Sequence, residues 1–320
     1  MSIPYNPCNP QASDESKAIL QFLSGLRGKG IIMGQHTQTM AQEELAYIRE
    51  VTGGLEPALC GFELLAYSPN INTKDSDREC LDEVEANKRT LEKAWEWAER
   101  KGLITFTWHW FSPLGGAGKA FYQEKTPFDA RLALTDGTPE QAAFISDLDV
   151  MAELLKPFAE KKIPILWRPF HEAEGSWFWW GSKGAETARG LYQAMFERFT
   201  QRHALHNLIW VWNSPLKEGY VGDDFCDVIS RDVYLKPPVH SDYAEHYAEL
   251  KAVTPTDKIA ALGETGPLPS MERLAETRIP WTWFMTWSKS VCREQTDRDV
   301  LRDSYRHEYA VTLDKLPKLY

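Results

Sequence analysis

The sequence predicts a single-domain (β/α)8 barrel of the TIM type, on three observations. Eight short apolar runs recur along the 320 residues and alternate with segments of helical period. The runs are apolar throughout instead of alternating, as parallel strands buried on both faces are. A polar or aromatic side chain stands at or just past the C-terminal end of every run: His36, Glu63, His109, Glu172, Asn213, Asp232, Glu264 and Trp287. In a barrel those ends converge on the face that carries the active site.

The elements follow in order. Ser13 to Leu26 has the apolar spacing of an amphipathic helix, stopped at Gly28. The first strand is read at Gly30–Gly34, a helix at Glu43–Val51, and the second strand at Ala58–Phe62. One long helix is expected from Asp77 to Lys101, with Val84, Leu91, Ala94, Trp95 and Ala98 as its stripe. The third strand is Leu103–Trp108. A long segment without helical period, Phe111 to Gly137, comes next and is expected to wall part of the site. Thr138-Pro139-Glu140-Gln141 is a capping box with Pro at the first helical position, opening a helix to Lys161. The fourth strand is Ile163–Leu166, a helix is expected at Ala185–Leu205, and the fifth strand is Leu208–Trp212. The sixth strand, Asp227–Arg231, and a helix near Tyr243–Ala252 precede the seventh strand, Ile259–Leu262. A short helix at Met271–Glu276, the eighth strand at Trp281–Trp287 and a closing helix at Thr296–His307 complete the count. No linker, low-complexity tract or composition break divides residues 1–320, so one catalytic domain is expected.

Composition narrows the partners. Net charge is −10 and the pI is near 5.4, which argues against nucleic acid or an anionic membrane as partner. No run approaches the roughly 18 apolar residues of a membrane span. The aromatic content, 13 Trp, 12 Tyr and 14 Phe, suits a neutral ligand with apolar faces. The five cysteines are scattered, with no CxxC pair or metal-like cluster, so free thiols and no metal site are expected. Met1 to Pro7 has neither a basic nor an apolar leader segment. A chain that starts natively at Met1 is expected in the cytoplasm, and one whose leader has been removed outside the cell.

The stretch from Trp167 to Gly181 organises the rest. It begins on a buried strand, turns at His171-Glu172 and opens into the aromatic run Trp177-Phe178-Trp179-Trp180. Carboxylates are rarely buried without a partner, and four consecutive aromatic residues cannot all point inward. Rings beside a carboxyl group suit a sugar: they stack on its C–H faces while the acid works at its acetal. A packing loop with Glu172 in a structural ion pair is the plainer alternative.

A second carboxylate, Glu264, ends the seventh strand, across the mouth from Glu172. Glycosidic cleavage with retention needs an acid that protonates the leaving oxygen and a carboxylate that attacks the anomeric carbon, about 5–5.5 Å apart. Aromatic surroundings would raise the Glu172 pKa and keep it protonated. Glu264 lies among Gly and Thr residues, a setting suited to an ionised nucleophile.

Trp167 to Gly181 resembles the acid/base signature of glycoside hydrolase family 26, the β-mannanases, and Ala261-Leu262-Gly263-Glu264-Thr265-Gly266 is similar to its nucleophile strand. Gly34-Gln35-His36-Thr37, Thr52-Gly53-Gly54, Trp108-His109, Gly222-Asp223, Asp232-Val233-Tyr234 and Trp287 extend the resemblance over nearly the whole chain. It implies a retaining hydrolase of β-1,4-mannan or manno-oligosaccharides that needs no cofactor, with Glu172 as acid/base and Glu264 as nucleophile. It further implies substrate-binding roles for His109, His171, Trp177, Phe178, Asp232, Tyr234 and Trp287. His171 would orient the nucleophile or touch the sugar at the cleavage point, Tyr234 would hydrogen-bond Glu264, and Trp287 would underlie the attacked sugar. Trp177 and Phe178 would stack on the leaving side and His109 would meet the glycone. Trp179 and Trp180 read as packing, and His36 fits core or site equally. Two departures bear on the glycone side: Glu63 where Asp is more usual, and Ser288-Lys289 where the family's mannanases often place an Arg. They leave open a chain-end mannobiohydrolase beside an endo-mannanase. The same pair would also serve another β-glycan, such as mixed-linkage β-glucan or β-1,3-xylan. A carbohydrate-binding barrel without catalysis is the non-enzymatic reading; the presence of both glutamates argues against it.

Overall fold

The computed structural model describes residues 5–38, 40–114, 120–288 and 291–320. Eight strands, β1 (Ile31–His36), β2 (Leu59–Glu63), β3 (Leu103–Thr107), β4 (Ile165–Trp167), β5 (Leu208–Asn213), β6 (Val228–Val233), β7 (Ile259–Thr265) and β8 (Trp281–Thr286), pair in parallel in sequence order. β1 closes the ring by pairing with both β2 and β8. Nearly every strand residue is buried, which is why the strands read as continuous apolar runs.

Two apolar layers fill the molecule. Side chains such as Ile32, Leu59, Leu103, Leu166, Ile209 and Trp283 form an inner cluster, joined by Ile19, Leu20 and Leu23 of helix α1 (Asp14–Leu26). The larger outer cluster, with Phe62, Phe106, Trp167, Trp210 and Trp281, lies between strands and helices. Helices α2 (Glu43–Thr52), α3 (Arg78–Ala86), α4 (Thr90–Glu99), α5 (Pro139–Glu160), α6 (Ala185–Glu197), α7 (Ala244–Lys251), α8 (Met271–Thr277), α9 (Val291–Glu294) and α10 (Arg298–Arg306) follow in order. The cap of α5 forms with a twist: the Thr138 hydroxyl accepts from Gln141 N–H at 3.1 Å, while the Gln141 side chain accepts from Gly137 N–H at 3.0 Å.

The structure departs from the sequence reading in places with local causes. The expected helix Asp77–Lys101 is two helices, α3 and α4, broken at residues 87–89, where Arg89 has φ of +63°. Thr90 fixes the break by donating to Glu63 O at 2.9 Å and Asn87 O at 2.6 Å. The apolar stripe runs on through the break because Val84 of α3 and Ala94, Trp97 and Ala98 of α4 are buried in the same outer cluster, so its period does not reveal the break. β4 starts at Ile165, two residues later than expected. Ile163 N–H still bonds Phe158 O at 2.9 Å, at the end of α5, and Pro164 has no N–H to give. The helix expected to Leu205 leaves α geometry at Arg198 and finishes as a π turn to Arg202. A ninth strand, β9 (Ala310–Val311), pairs with Ile31 and Ile32 of β1; two residues carry too little pattern to read. Cys60 and Cys226 are buried as expected, and among the described residues Cys8, Cys60, Cys80 and Cys226 are free thiols. No described helix is long and apolar enough to cross a membrane.

Candidate active site

Six of the eight strand-end residues named from the sequence line the C-terminal mouth, and Asn213 and Asp232 lie buried beneath it. His36, Glu63, His109, His171, Glu172, Phe178, Tyr234, Glu264 and Trp287 line a cavity of ≈ 270 Å³ there. Phe121 and Tyr122 of the Phe111–Gly137 segment join them. That segment lies alongside the aromatic run: Gln123 N–H donates to Trp177 O at 2.7 Å and Trp179 N–H to Phe121 O at 3.1 Å. Residues 115–119 fall outside the described part of it. Trp179 and Trp180 are fully buried, their indoles bonded to Trp110 O (2.7 Å) and His171 O (2.8 Å), as packing residues.

One carboxylate oxygen from each of Glu172, Asp232 and Glu264 lies within 4.8 Å of the others. Among the described residues this is the group with the spacing of a metal-ligand set. Its counter-charge is already supplied by Arg168, whose side chain is 2% exposed. The guanidinium grips Asp232 at 3.0 and 3.2 Å through one nitrogen and donates to Glu264 Oε1 through another. Tyr234 Oη donates to Glu264 Oε2 at 2.7 Å, as the resemblance implied. Glu172 receives the Trp177 indole N–H at 2.8 Å and is otherwise open to the cavity.

The proton balance follows from these contacts. Burial and the nearby Asp232 carboxylate push the Glu172 pKa up to about 7, against the Trp177 hydrogen bond. Burial and Asp232 push Glu264 up as well, against the pull of Arg168. Carboxyls this close titrate as a pair, so near neutrality one proton serves both. Glu264 has a guanidinium and a phenol donating to its two oxygens while Glu172 has one neutral indole, a difference that favours the proton on Glu172.

The histidines at the mouth form a second network. Glu63 accepts from His109 Nδ1 at 2.6 Å, His109 N–H at 2.8 Å, Leu65 N–H at 2.9 Å and the Thr107 hydroxyl at 2.9 Å. Burial alone would lower His109, but the Glu63 carboxylate raises it instead. His109 Nε2 meets His171 Nε2 at 3.1 Å, and burial keeps His171 well below its usual pKa, hence neutral. Burial likewise pushes His36 down to about 3. Its ring supports Trp287 in a stack at 4.0 Å and 20°, so His36 belongs to both core and site.

His171 lines the cavity, while among the described residues Arg168 and Tyr234 make the hydrogen bonds to Glu264. The structure changes two placements. Asp232, expected against the substrate, is turned beneath the cavity, its side chain 2% exposed and bonded to Arg168 and Asn213. Phe178, expected beside Trp177 on the leaving side, packs against His109, His171 and Trp180, while Trp177 stays 46% exposed. Consecutive residues on a turning loop face different walls. Asn213 was named in the sequence as a strand-end residue without a role, and Arg168 lies unremarked within the Trp167–Gly181 stretch. The signal that exposes Arg168 is charge: three strand-end carboxylates need a buried cation. Of Ser288-Lys289, Ser288 lines the cavity and Lys289 lies outside the described residues.

A barrel mouth with two facing carboxyls this close, one of them held by an arginine, has the layout of a retaining glycosidase. The chain belongs to glycosyl hydrolase family 26, whose family model matches residues 8–315. It is 33% identical to a mannan endo-1,4-β-mannosidase of Thermothelomyces thermophilus over 96% of this chain and 62% of that protein. It is also 29% identical to mannan endo-1,4-β-mannosidase B of Piromyces sp. over 97% of this chain and 53% of that one. The chain thus spans less than two thirds of the length of these relatives. Among solved structures, the Podospora anserina β-(1,4)-mannanase superposes with a TM-score of 0.87 at 33% identity, covering 99% of this chain and 70% of that one. A β-mannanase from a symbiotic protist of the termite Reticulitermes speratus, complexed with a gluco-manno-oligosaccharide, gives 0.88 at 29% identity, covering 99% of each.

Proposed function

We propose that this protein is an endo-acting β-1,4-mannanase that cleaves with retention by double displacement. The observation that carries the reading is the carboxyl spacing: oxygens of Glu172 and Glu264 within 4.8 Å suit the roughly 5–5.5 Å of retaining enzymes and leave no room for the water of an inverting one. Family membership and mannanase relatives support the choice of mannan. In this reading the ionised Glu264 attacks the anomeric carbon while Glu172 gives its proton to the leaving oxygen. A covalent mannosyl ester forms on Glu264 and the shortened chain departs. Water then enters, Glu172 takes its proton, and the ester is displaced with the β configuration restored. Trp287 is the floor for the attacked sugar, His109, His171 and Phe178 face it within the cavity, and Trp177 is a stacking surface for the leaving side. Asp232 and Tyr234 act on the glutamates.

The test is a timed product profile on mannohexaose and linear mannan, with the anomeric configuration of the first products read by NMR. Mixed short products that appear first as β anomers are expected. Mannobiose alone from the outset would move the reading to chain-end cleavage, and α anomers would overturn the mechanism.

The rate should also fall above neutrality. The active pair holds one proton between the two steps of its coupled titration, about 7 and about 8, so kcat/KM is expected to fall on either side of that interval. A pH–rate profile flat from about pH 6 to pH 9 would contradict the assignment of Glu172 as the acid.

A further inference from the structure

We infer that Asn213 positions Glu172 for proton donation through a hydrogen bond to its backbone, while Arg168 and Tyr234 hold Glu264. The inference rests on the reading of Glu172 as the acid and Glu264 as the nucleophile.

Glu172 has φ of +53°, in the left-handed region that a residue with a Cβ enters only when its surroundings hold it there. The hold is a hydrogen bond from the Glu172 backbone N–H to Asn213 Oδ1 at 2.8 Å, made by a side chain from the neighbouring strand β5. Asn213 is fully buried, and its amide is completely used: Nδ2 donates to Ser230 Oγ at 3.0 Å and to Asp232 Oδ1 at 2.8 Å. The amide cannot turn over. A flipped group would set its NH2 against the Glu172 N–H and its oxygen against the Asp232 carboxylate, giving two repulsive contacts. Asn213 is therefore a one-way connector between a backbone donor and a carboxylate.

The hydrogen bonds continue beyond it. Asp232 receives Arg168, and Arg168 donates to Glu264. Four strands, β4 to β7, thus contribute to one buried path from the backbone of the acid to the carboxylate of the nucleophile. Gly263 marks where the path crosses β7. A Cβ there would lie 2.5 Å from Asp232 Oδ1 and 2.6 Å from Asn213 Nδ2, so only glycine leaves room for the network. Asn213 is absent from the cavity lining, which makes it a positioning residue and not a substrate contact.

The test uses the dependence of acid catalysis on the leaving group. A sugar leaving group needs the proton from Glu172, whereas 2,4-dinitrophenolate leaves without one. Asn213→Ala is expected to lower kcat on mannohexaose by about 10–100-fold, with KM within about 2-fold, yet to change glycosylation by 2,4-dinitrophenyl β-mannobioside by less than about 3-fold, read as the burst rate. Asn213→Ser, which disturbs packing less, provides the same comparison if the Ala variant does not fold. Equal losses on both substrates, or no loss on either, would overturn the positioning role. A wild-type protein inactive on both would overturn the proposed action on mannan, so the two failures are distinct.

Discussion

Glu264→Ala is expected to lower turnover of linear mannan by about 10⁴–10⁶-fold, the largest loss of any single substitution in this barrel. In the proposed mechanism the variant removes the oxygen that bonds to the anomeric carbon, and among the described residues no other carboxylate is free to take its place. Asp232 is close enough, but both its oxygens are engaged by Arg168 and Asn213 beneath the cavity. Glu172→Ala should cost less, about 10²–10⁴-fold, because it removes only proton transfer. The two losses also differ in kind. Azide, entering the space left at Glu172, should restore turnover of a dinitrophenyl mannobioside by accepting the glycosyl group from Glu264. The same anion should not restore β-product formation in Glu264→Ala. A 2-deoxy-2-fluoro mannosyl fluoride should label the wild-type protein, with the added mass on the peptide that contains Glu264. A label elsewhere, or more than about 1% activity left in Glu264→Ala, would remove Glu264 from the nucleophile role.

Why the pair was legible in the sequence, and its support was not, is a matter of distance along the chain. Glu172 and Glu264 each announce themselves locally, a carboxylate placed where an apolar strand ends. Eight such endings predict the barrel because parallel strands bring all their C-terminal ends to one face. Tyr234 follows the same logic two residues after Asp232, since β6 runs on to Val233. Arg168 sits one residue beyond β4 and reads locally as a charge before a proline. Its role appears only when β4, β6 and β7 are brought side by side, giving it Asp232 and Glu264 as partners. Asn213 is harder still, because its most important contact is with a backbone N–H that carries no sequence signal at all. The break between α3 and α4 was hidden for a related reason. A hydrophobic period reports which face is covered, while the break depends on a single hydroxyl, Thr90, reaching the end of β2.

Arg168→Leu is the substitution expected to damage stability most. It removes the positive charge among three carboxylates whose oxygens lie within 4.8 Å, at a site where the Arg168 and Glu264 side chains are 2% and 5% exposed. Breaking a buried ion pair by deleting one partner costs about 3–5 kcal/mol, because the remaining charge is left buried and unpaired. The carboxyls would respond by holding protons to higher pH, since Arg168 now pulls Glu264 and Glu172 down. A group whose folded pKa is raised further above its unfolded value stabilises less as pH rises through the interval between them. The stability gap between wild type and Arg168→Leu should therefore be small near about pH 5 and widen toward about pH 8, as read from denaturant midpoints at the two values. Activity at neutral pH should fall with it, because a protonated Glu264 cannot attack. Arg168→Lys should recover part of the stability and little of the rate: an ammonium supplies the charge but not the planar donors that reach Asp232 and Glu264 together. A gap that does not change with pH would mean that Arg168 acts by packing alone, and that another group keeps Glu264 ionised.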